Sequence, residues 1–270
     1  MLFPKIFAII KSMRVFLGNY TKDQKLADLH IHTNNSDGLM SPKQVVDLAV
    51  ETGRLNAIAI TDHDTIKPAI AARDYCLKMA NALNIIVGSE ITTADGHVLG
   101  LYLETDIPKN NSLAATILEI HKQAGLAIIP HPLRGEQSLN EASIINIMGS
   151  ANPNLYFDGF EIFNSSINTD LKDPVVKKTT VFYLENKTKL GAPIGSSGGH
   201  FLTIGRGLTG FKGDLKNAIK STQTTVTFLD QEETAKLIDL SKKLFPKEME
   251  KAIRLYENLE LIESPTHFYS

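Results

Sequence analysis

The chain has 270 residues, 43% of them hydrophobic, enough to bury the core of one large α/β domain or of two smaller ones. Lys and Arg total 28 against 30 Asp and Glu, so the overall charge gives no reason to expect nucleic acid or an anionic surface as partner. The single cysteine, Cys76, excludes an internal disulfide and fits a reducing, cytoplasmic compartment.

The chain opens with MLFPKIFAIIKSMRVFLGNY, which is apolar but broken by Lys5, Lys11 and Arg14. That leaves no apolar stretch of signal-peptide or membrane-spanning length, and an amphipathic helical extension over residues 1–25 is expected. A strand follows over 26–31. By simple alternation His30 and His32 share one face of it, with Leu29 and Ile31 turned the other way into a core. The Asn, Ser, Asp and Gly that follow predict a loop carrying Asp37. Residues 41–53 read as a helix, with Ser41 as N-cap, Pro42 in the first turn and Gly53 as its stop.

Further apolar runs at 57–60, 85–87, 98–103, 126–129, 159–163 and 192–194 alternate with helical patterns such as 113–124, closed by Gly125. Cys76 falls on such a pattern and reads as a buried core position. Strand–helix alternation of this kind predicts βαβ units around a mostly parallel sheet, and seven strands over this length suggest a barrel. The segment TTVTFLD reads as a last strand. Residues 231–270 read as a helical extension covering the barrel, leaving 26–230 as the barrel domain.

Polar residues gather where such barrels carry their sites, at the carboxyl ends of strands. His30 and His32 end the first run, and Asp62, His63 and Asp64 follow the second. Glu90 closes the third, His97 opens the fourth, His131 follows the fifth and His200 follows the seventh. Six of the eight histidines thus fall at strand edges; His121 reads as a solvent-facing helix residue, and His267 lies in the tail. Imidazoles and carboxylates in this concentration are the ligands that divalent transition ions prefer.

In order, HIH with SDG, TDHD, the GSE glutamate, HVLG, PHP and the GSSGGH segment before IGRG resemble the PHP superfamily, the polymerase and histidinol phosphatase domains. The resemblance implies a distorted seven-stranded β/α barrel, TIM-like, with helices outside. It also implies a hydrolase of phosphomonoesters or phosphodiesters with up to three divalent ions per chain, commonly Mn, Fe or Zn. It places His30 and His32 on one ion with Glu90 bridging to a second, which His97 and His131 complete. Asp37, His63 and His200 would hold a third, and Asp64 would orient a histidine. One position departs from the family, which usually carries an aspartate where this chain has Gly198. The first ion is therefore expected to be the weakest held, with Gly198→Asp as the restoring change.

The function expected is hydrolysis of a small phosphate ester, a nucleotide or a sugar or alcohol phosphate, by metal-activated hydroxide. Arg134 and Arg206 would grip phosphate oxygens, and His63 or His200 would protonate the leaving alcohol. The lack of a basic stripe argues against long nucleic acid. The alternative is a catalytically weakened domain serving as a metal- or nucleotide-binding regulatory module. GSSGG also fits the nucleophile elbow of serine hydrolases, with Ser197 as nucleophile, but that motif requires a helix next, where HFLTIGRGL follows. Amide or deamination chemistry would want a carboxylated lysine or a last-strand aspartate, and neither is evident. Oligomeric state leaves no mark in the sequence.

Overall fold

The computed structural model describes residues 23–135, 137–166, 174–200 and 204–260, with backbone alone over 255–260. Most of the expected N-terminal helix and His267 lie outside these residues.

The chain enters through β1 (Lys25–Ile31), α1 (Pro42–Glu51), β2 (Ala57–Ile60), α2 (Lys67–Lys78), β3 (Asn84–Thr93) and β4 (Gly96–Leu101). It continues through α3 (Leu113–Lys122), β5 (Leu126–Ile129), α4 (Glu141–Met148), β6 (Gly159–Asn164), α5 (Pro174–Asn186) and β7 (Ala192–Ser196). The remainder is β8 (Gly207–Phe211), α6 (Leu215–Lys220), β9 (Thr225–Phe228), α7 (Gln231–Leu244) and α8 (Pro246–Glu260). Helix α1 starts as its sequence dictates. The Ser41 side chain accepts from the Gln44 N–H while the Gln44 side chain reaches back to the Ser41 N–H, and Pro42 occupies the first turn.

The strands form one sheet in the order β7-β6-β5-β4-β3-β2-β1-β8-β9. The sheet nearly closes on itself, because the chain beyond β7 pairs with the end of β1: the His32 N–H donates to Gly199 O at 2.9 Å and the Gly199 N–H to His30 O at 3.0 Å. The sheet has nine strands where the sequence suggested a barrel of seven and one more. The strand not anticipated is β8, whose five residues GLTGF include two glycines and carry little strand signal. It runs antiparallel to β1 and β9.

Strand β4 is antiparallel to both neighbours, β3 and β5. Its first residues therefore lie at the same end of the barrel as the carboxyl ends of the parallel strands, which brings His97 to the other histidines.

Alternation fails in β1 in a way that matters. Its pairing with β2 advances three residues, from Asp28 to Ile31, while β2 advances two, from Ile58 to Ile60. This bulge sends Leu29 to the inner core with Ala27, Ala59 and Ile128, and Ile31 to the outer core with Ile58, Ile60 and Val45. Leu29 and Ile31 thus do not share a face, contrary to the simple period-2 reading. Bulges re-aim side chains beside functional sites, and here the imidazoles are what is re-aimed.

The outer core lies between sheet and helices and takes in Cys76 and, from the last two helices, Leu237, Met249 and Ala252. A hydrogen bond from Gln44 Nε2 to Glu248 Oε1 (2.8 Å) and an Arg54–Glu233 ion pair (3.0 Å) tie those helices to the rest of the chain. At the amino end of the barrel His121 is not solvent-facing. Its side chain is 11% exposed, with Nε2 2.9 Å from Asp158 Oδ2 and Nδ1 2.9 Å from Asn154 O. Tyr156 stacks on its ring. The helical pattern alone could not show that a carboxylate arrives from 37 residues away. Among the described residues no helix is long and apolar enough to cross a membrane.

Candidate metal centre

Glu90 lies in β3 with its side chain 2% exposed. Its backbone N–H donates to Thr61 O and Asp62 O, which fixes the strand against the end of β2. Its carboxylate faces ring nitrogens on both sides. Oε2 lies 3.1 Å from both His30 Nε2 and His32 Nε2, and those two nitrogens are 3.0 Å apart. Oε1 lies 3.0 Å from His97 Nδ1 and 2.9 Å from His131 Nε2.

Two imidazole nitrogens turned on one another beside a shared carboxylate oxygen make a poor hydrogen-bonded core. The same triangle suits a cation: ligands about 2 Å from an ion stand roughly 3 Å from one another. Within the described residues, sets of atoms able to share an ion are offered by His30, Glu90 and His131, by His63, Glu90 and His97, and by His32, Asp37 and His63. The donors are nitrogen and carboxylate oxygen without sulfur, a set that suits Mn, Fe and Zn alike.

The rim is more open. Asp37, 50% exposed, lies on the loop after β1, with Oδ1 3.1 Å from His32 Nδ1. Its Oδ2 is 3.0 Å from Nε2 of His200, 41% exposed, and 3.5 Å from His63 Nε2. The rings of His200 and His32 stack in parallel at 4.7 Å. The eight residues proposed from sequence as ligands, His30, His32, Asp37, His63, Glu90, His97, His131 and His200, therefore converge on one end of the barrel, buried at Glu90 and open at Asp37.

Charge in the cluster is mutually reinforced. Burial disfavours ionised Glu90, but the histidines around it outweigh this and hold its carboxyl well below the usual range. Burial likewise opposes a charged His30, yet the Glu90 and Glu161 carboxylates raise its pKa well above the ordinary histidine value. For Asp37, hydrogen bonds from His200, His32 and His63 overcome desolvation and lower its pKa. In the absence of a cation His30 and His32 are thus drawn towards protonation, and metal must displace those protons.

Supporting carboxylates hold the loops. Asp62 accepts from the Thr33 N–H (2.9 Å) and the Ser36 hydroxyl (2.6 Å), shaping the loop that carries Asp37. Asp64, expected to orient a histidine, instead accepts from the Thr92 N–H and hydroxyl, at 2.8 and 3.1 Å. It anchors β3 two residues past Glu90. Asp28 accepts from the N–H groups of Ser197 (2.9 Å) and Gly205 (2.8 Å), spanning the segment that bears His200, and burial pushes its carboxyl up to about 6.

The residue that sequence reasoning missed is Glu161. It sits in GFEIFN, fully buried, 3.1 Å from His30 Nδ1. Its only signal was one charge inside an apolar run.

Position 198 also differs from expectation. Gly198 has φ +56°, and a Cβ there would lie 2.3 Å from Asn164 Oδ1 and 2.6 Å from Ser166 Oγ. Asn164 in turn donates to Glu161 Oε2 at 3.0 Å. The space for a side chain at 198 is filled, so Gly198→Asp is not a simple restoration. Ser197 is fully buried, its hydroxyl bonded to His30 O, and Gly199 after it pairs with β1 rather than opening a helix. The nucleophile-elbow reading therefore fails. Arg134 lies on the loop beyond His131. Arg206 lies on the turn entering β8, its guanidinium partly desolvated and its pKa lowered by that burial.

A family model described as PHP domain matches residues 28–250. The uncharacterized protein MJ1587 of Methanocaldococcus jannaschii is 35% identical over 150 residues, 52% of this chain and 81% of that protein. The 5'-3' exoribonuclease Rnm of Salmonella typhimurium is 39% identical over 105 residues, 37% of this chain and 36% of that one, so the match spans about a third of the exoribonuclease. A solved two-domain protein of Bacteroides vulgatus described as containing a predicted PHP-like metal-dependent phosphoesterase superposes with a TM-score of 0.58 at 19% identity, over 81% of this chain and 71% of that one. At that identity the likeness is one of fold.

Proposed function

The chain belongs to the PHP domain family, and from that premise we propose that it is a metal-dependent phosphoesterase acting on small phosphate esters. The observation that carries the reading is the buried Glu90 carboxylate, faced by nitrogens of His30, His32, His97 and His131 at 2.9–3.1 Å. Divalent ions held there supply hydroxide near neutral pH and neutralise charge on phosphoryl oxygens.

The chain's own residues do the rest. Glu90 is shared between two groups of ligands. Asp37, His63 and His200, at the open rim, meet the incoming phosphate first. Arg134 and Arg206 neutralise its outer oxygens. Hydroxide supplied there would attack phosphorus in line with the leaving oxygen as the phosphorus–oxygen bond to that group breaks, and whichever of His200 and His63 is not holding an ion would give the departing alkoxide its proton. The near-balanced overall charge favours a small substrate. One observation favours a second reading, a short RNA cleaved from its 5' end: the similarity to an exoribonuclease over 105 residues.

The test is hydrolysis of an aryl phosphomonoester, an aryl phosphodiester and a 5'-phosphorylated RNA 5-mer, each with Mn and with chelator. Chelator-sensitive turnover of an aryl ester supports the proposal. Turnover of the RNA alone supports the second reading. Metal bound without turnover of any of them supports a regulatory, metal-binding role instead.

A further inference from the structure

Glu90 and Glu161 are both fully buried carboxylates within reach of His30, but their surroundings differ in kind. The side-chain partners of Glu90 are imidazole nitrogens. Those of Glu161 are mostly donors fixed in the fold. Its Oε1 receives the Ser196 hydroxyl from β7 and faces His30 Nδ1 from β1. Its Oε2 receives the His131 backbone N–H from the end of β5 and the Asn164 amide from its own strand. Each oxygen thus has two contacts, so Glu161 has little capacity left to bind an ion itself.

The two histidines it touches are those that flank Glu90 from opposite sides. A bond from Nδ1 of His30 to Glu161 leaves the Nε2 lone pair directed at the Glu90–His32 side. A metal-binding imidazole is commonly fixed in tautomer and orientation by such a carboxylate on its other nitrogen. His131 has φ +27°, in the left-handed region that a residue with a side chain rarely adopts. Its N–H is held by Glu161, and from that backbone its Nε2 reaches Glu90 Oε1 at 2.9 Å. A second contact, between His131 Nδ1 and the Ser138 hydroxyl at 3.0 Å, fixes the ring.

We propose that Glu161 is the positioning residue of the metal centre, holding His30 as its Nδ1–H form and the His131 backbone in its left-handed turn so that both Nε2 atoms converge beside Glu90. This rests on the metal-dependent reading above. It assigns the β6 strand a role in the centre without making it a source of ligands, and it explains why one charge stands inside an otherwise apolar strand.

The test is Glu161→Gln, which keeps the shape but turns one of the two acceptors into a donor facing the His131 N–H or the His30 ring. Mn binding is measured by titration against a competing chelator on the full chain, alongside far-UV circular dichroism. The expected result is a folded variant whose tightest Mn site is weakened about 10–100-fold. Wild-type protein that binds no Mn overturns the metal-dependent reading and this role with it. Wild-type protein that binds Mn while E161Q binds it equally tightly overturns the role of Glu161 alone. If E161Q does not fold, the wild type decides by NMR of its histidine rings. A hydrogen-bonded, slowly exchanging proton on His30 Nδ1 is the expected result, and a bare Nδ1 contradicts the proposal.

Discussion

At the amino end of the barrel His121 places Nδ1 on Asn154 O and Nε2 on Asp158 Oδ2, and the same oxygen accepts the Ala127 N–H. The pair stitches α3, β5 and the approach to β6 together, and it is complete as it stands. At the carboxyl end, Glu90 meets ring nitrogens on both oxygens, and His30 and His32 turn their Nε2 atoms on one another at 3.0 Å. That arrangement is one a cation would complete. Similar side chains in the same barrel thus serve different ends, and the difference is legible in what else each polar atom touches.

Substitutions that break the comparison should have unequal effects. The largest is expected for Glu90→Gln, which removes the charge shared by two ligand groups: metal content falls, and kcat/KM drops at least about 100-fold, checked by elemental analysis and steady-state kinetics. Next is Gly198→Asp. It forces a side chain onto a left-handed backbone position and against Asn164, and should cost about 2 kcal/mol or more by denaturant unfolding without any gain in turnover. A stable G198D with raised turnover would show that Asn164 yields, and that the missing aspartate was the limiting ligand.

A smaller effect is expected at the other end. His121→Ala should cost about 1–2 kcal/mol while metal content and turnover stay at wild-type values. Burial opposes charging His121, but the hydrogen bond it donates to Asp158 prevails and its pKa in the folded chain is raised. The contribution of the charged pair is therefore complete below the unfolded histidine value of about 6.5. It is lost as pH climbs through the higher folded value. Unfolding curves of wild type and H121A should draw together across that window, and a gap that widens with pH would contradict the assignment. The smallest change is Thr92→Val, which removes one of the two bonds that Asp64 accepts. It should cost about 1 kcal/mol with metal retained.

The convergence of the candidate ligand residues was readable from sequence because most fall at the edges of apolar runs, and strand ends are where such barrels expose chemistry. The parallel pairings of β2 with β1 and β3, and of β6 with β5 and β7, were readable from the same alternation, but the sheet has as many antiparallel pairings, made by β4 and β8. What escaped did so for local physical reasons. The β1 bulge adds a residue without changing composition, so period 2 assigned Leu29 and Ile31 to one face. Strand β8 is too short and glycine-rich to register. Glu161 looked like an interruption of a core strand, since nothing local reveals that His30 from β1, His131 from just past β5 and Ser196 from β7 meet it. Asp64 and His121 were misjudged for the same reason, their partners Thr92 and Asp158 being distant in the chain.

The central claim is that the cluster around Glu90 is built for cations, and the most direct test is elemental analysis of the full chain purified without added metal, repeated after chelation and Mn addition with thermal unfolding followed. Two or more divalent ions per chain, with stability that falls on chelation and returns with Mn by about 2.7 kcal/mol at a hundredfold excess over Kd, is the predicted result. A chain that retains no ion and unfolds identically with and without Mn would contradict it.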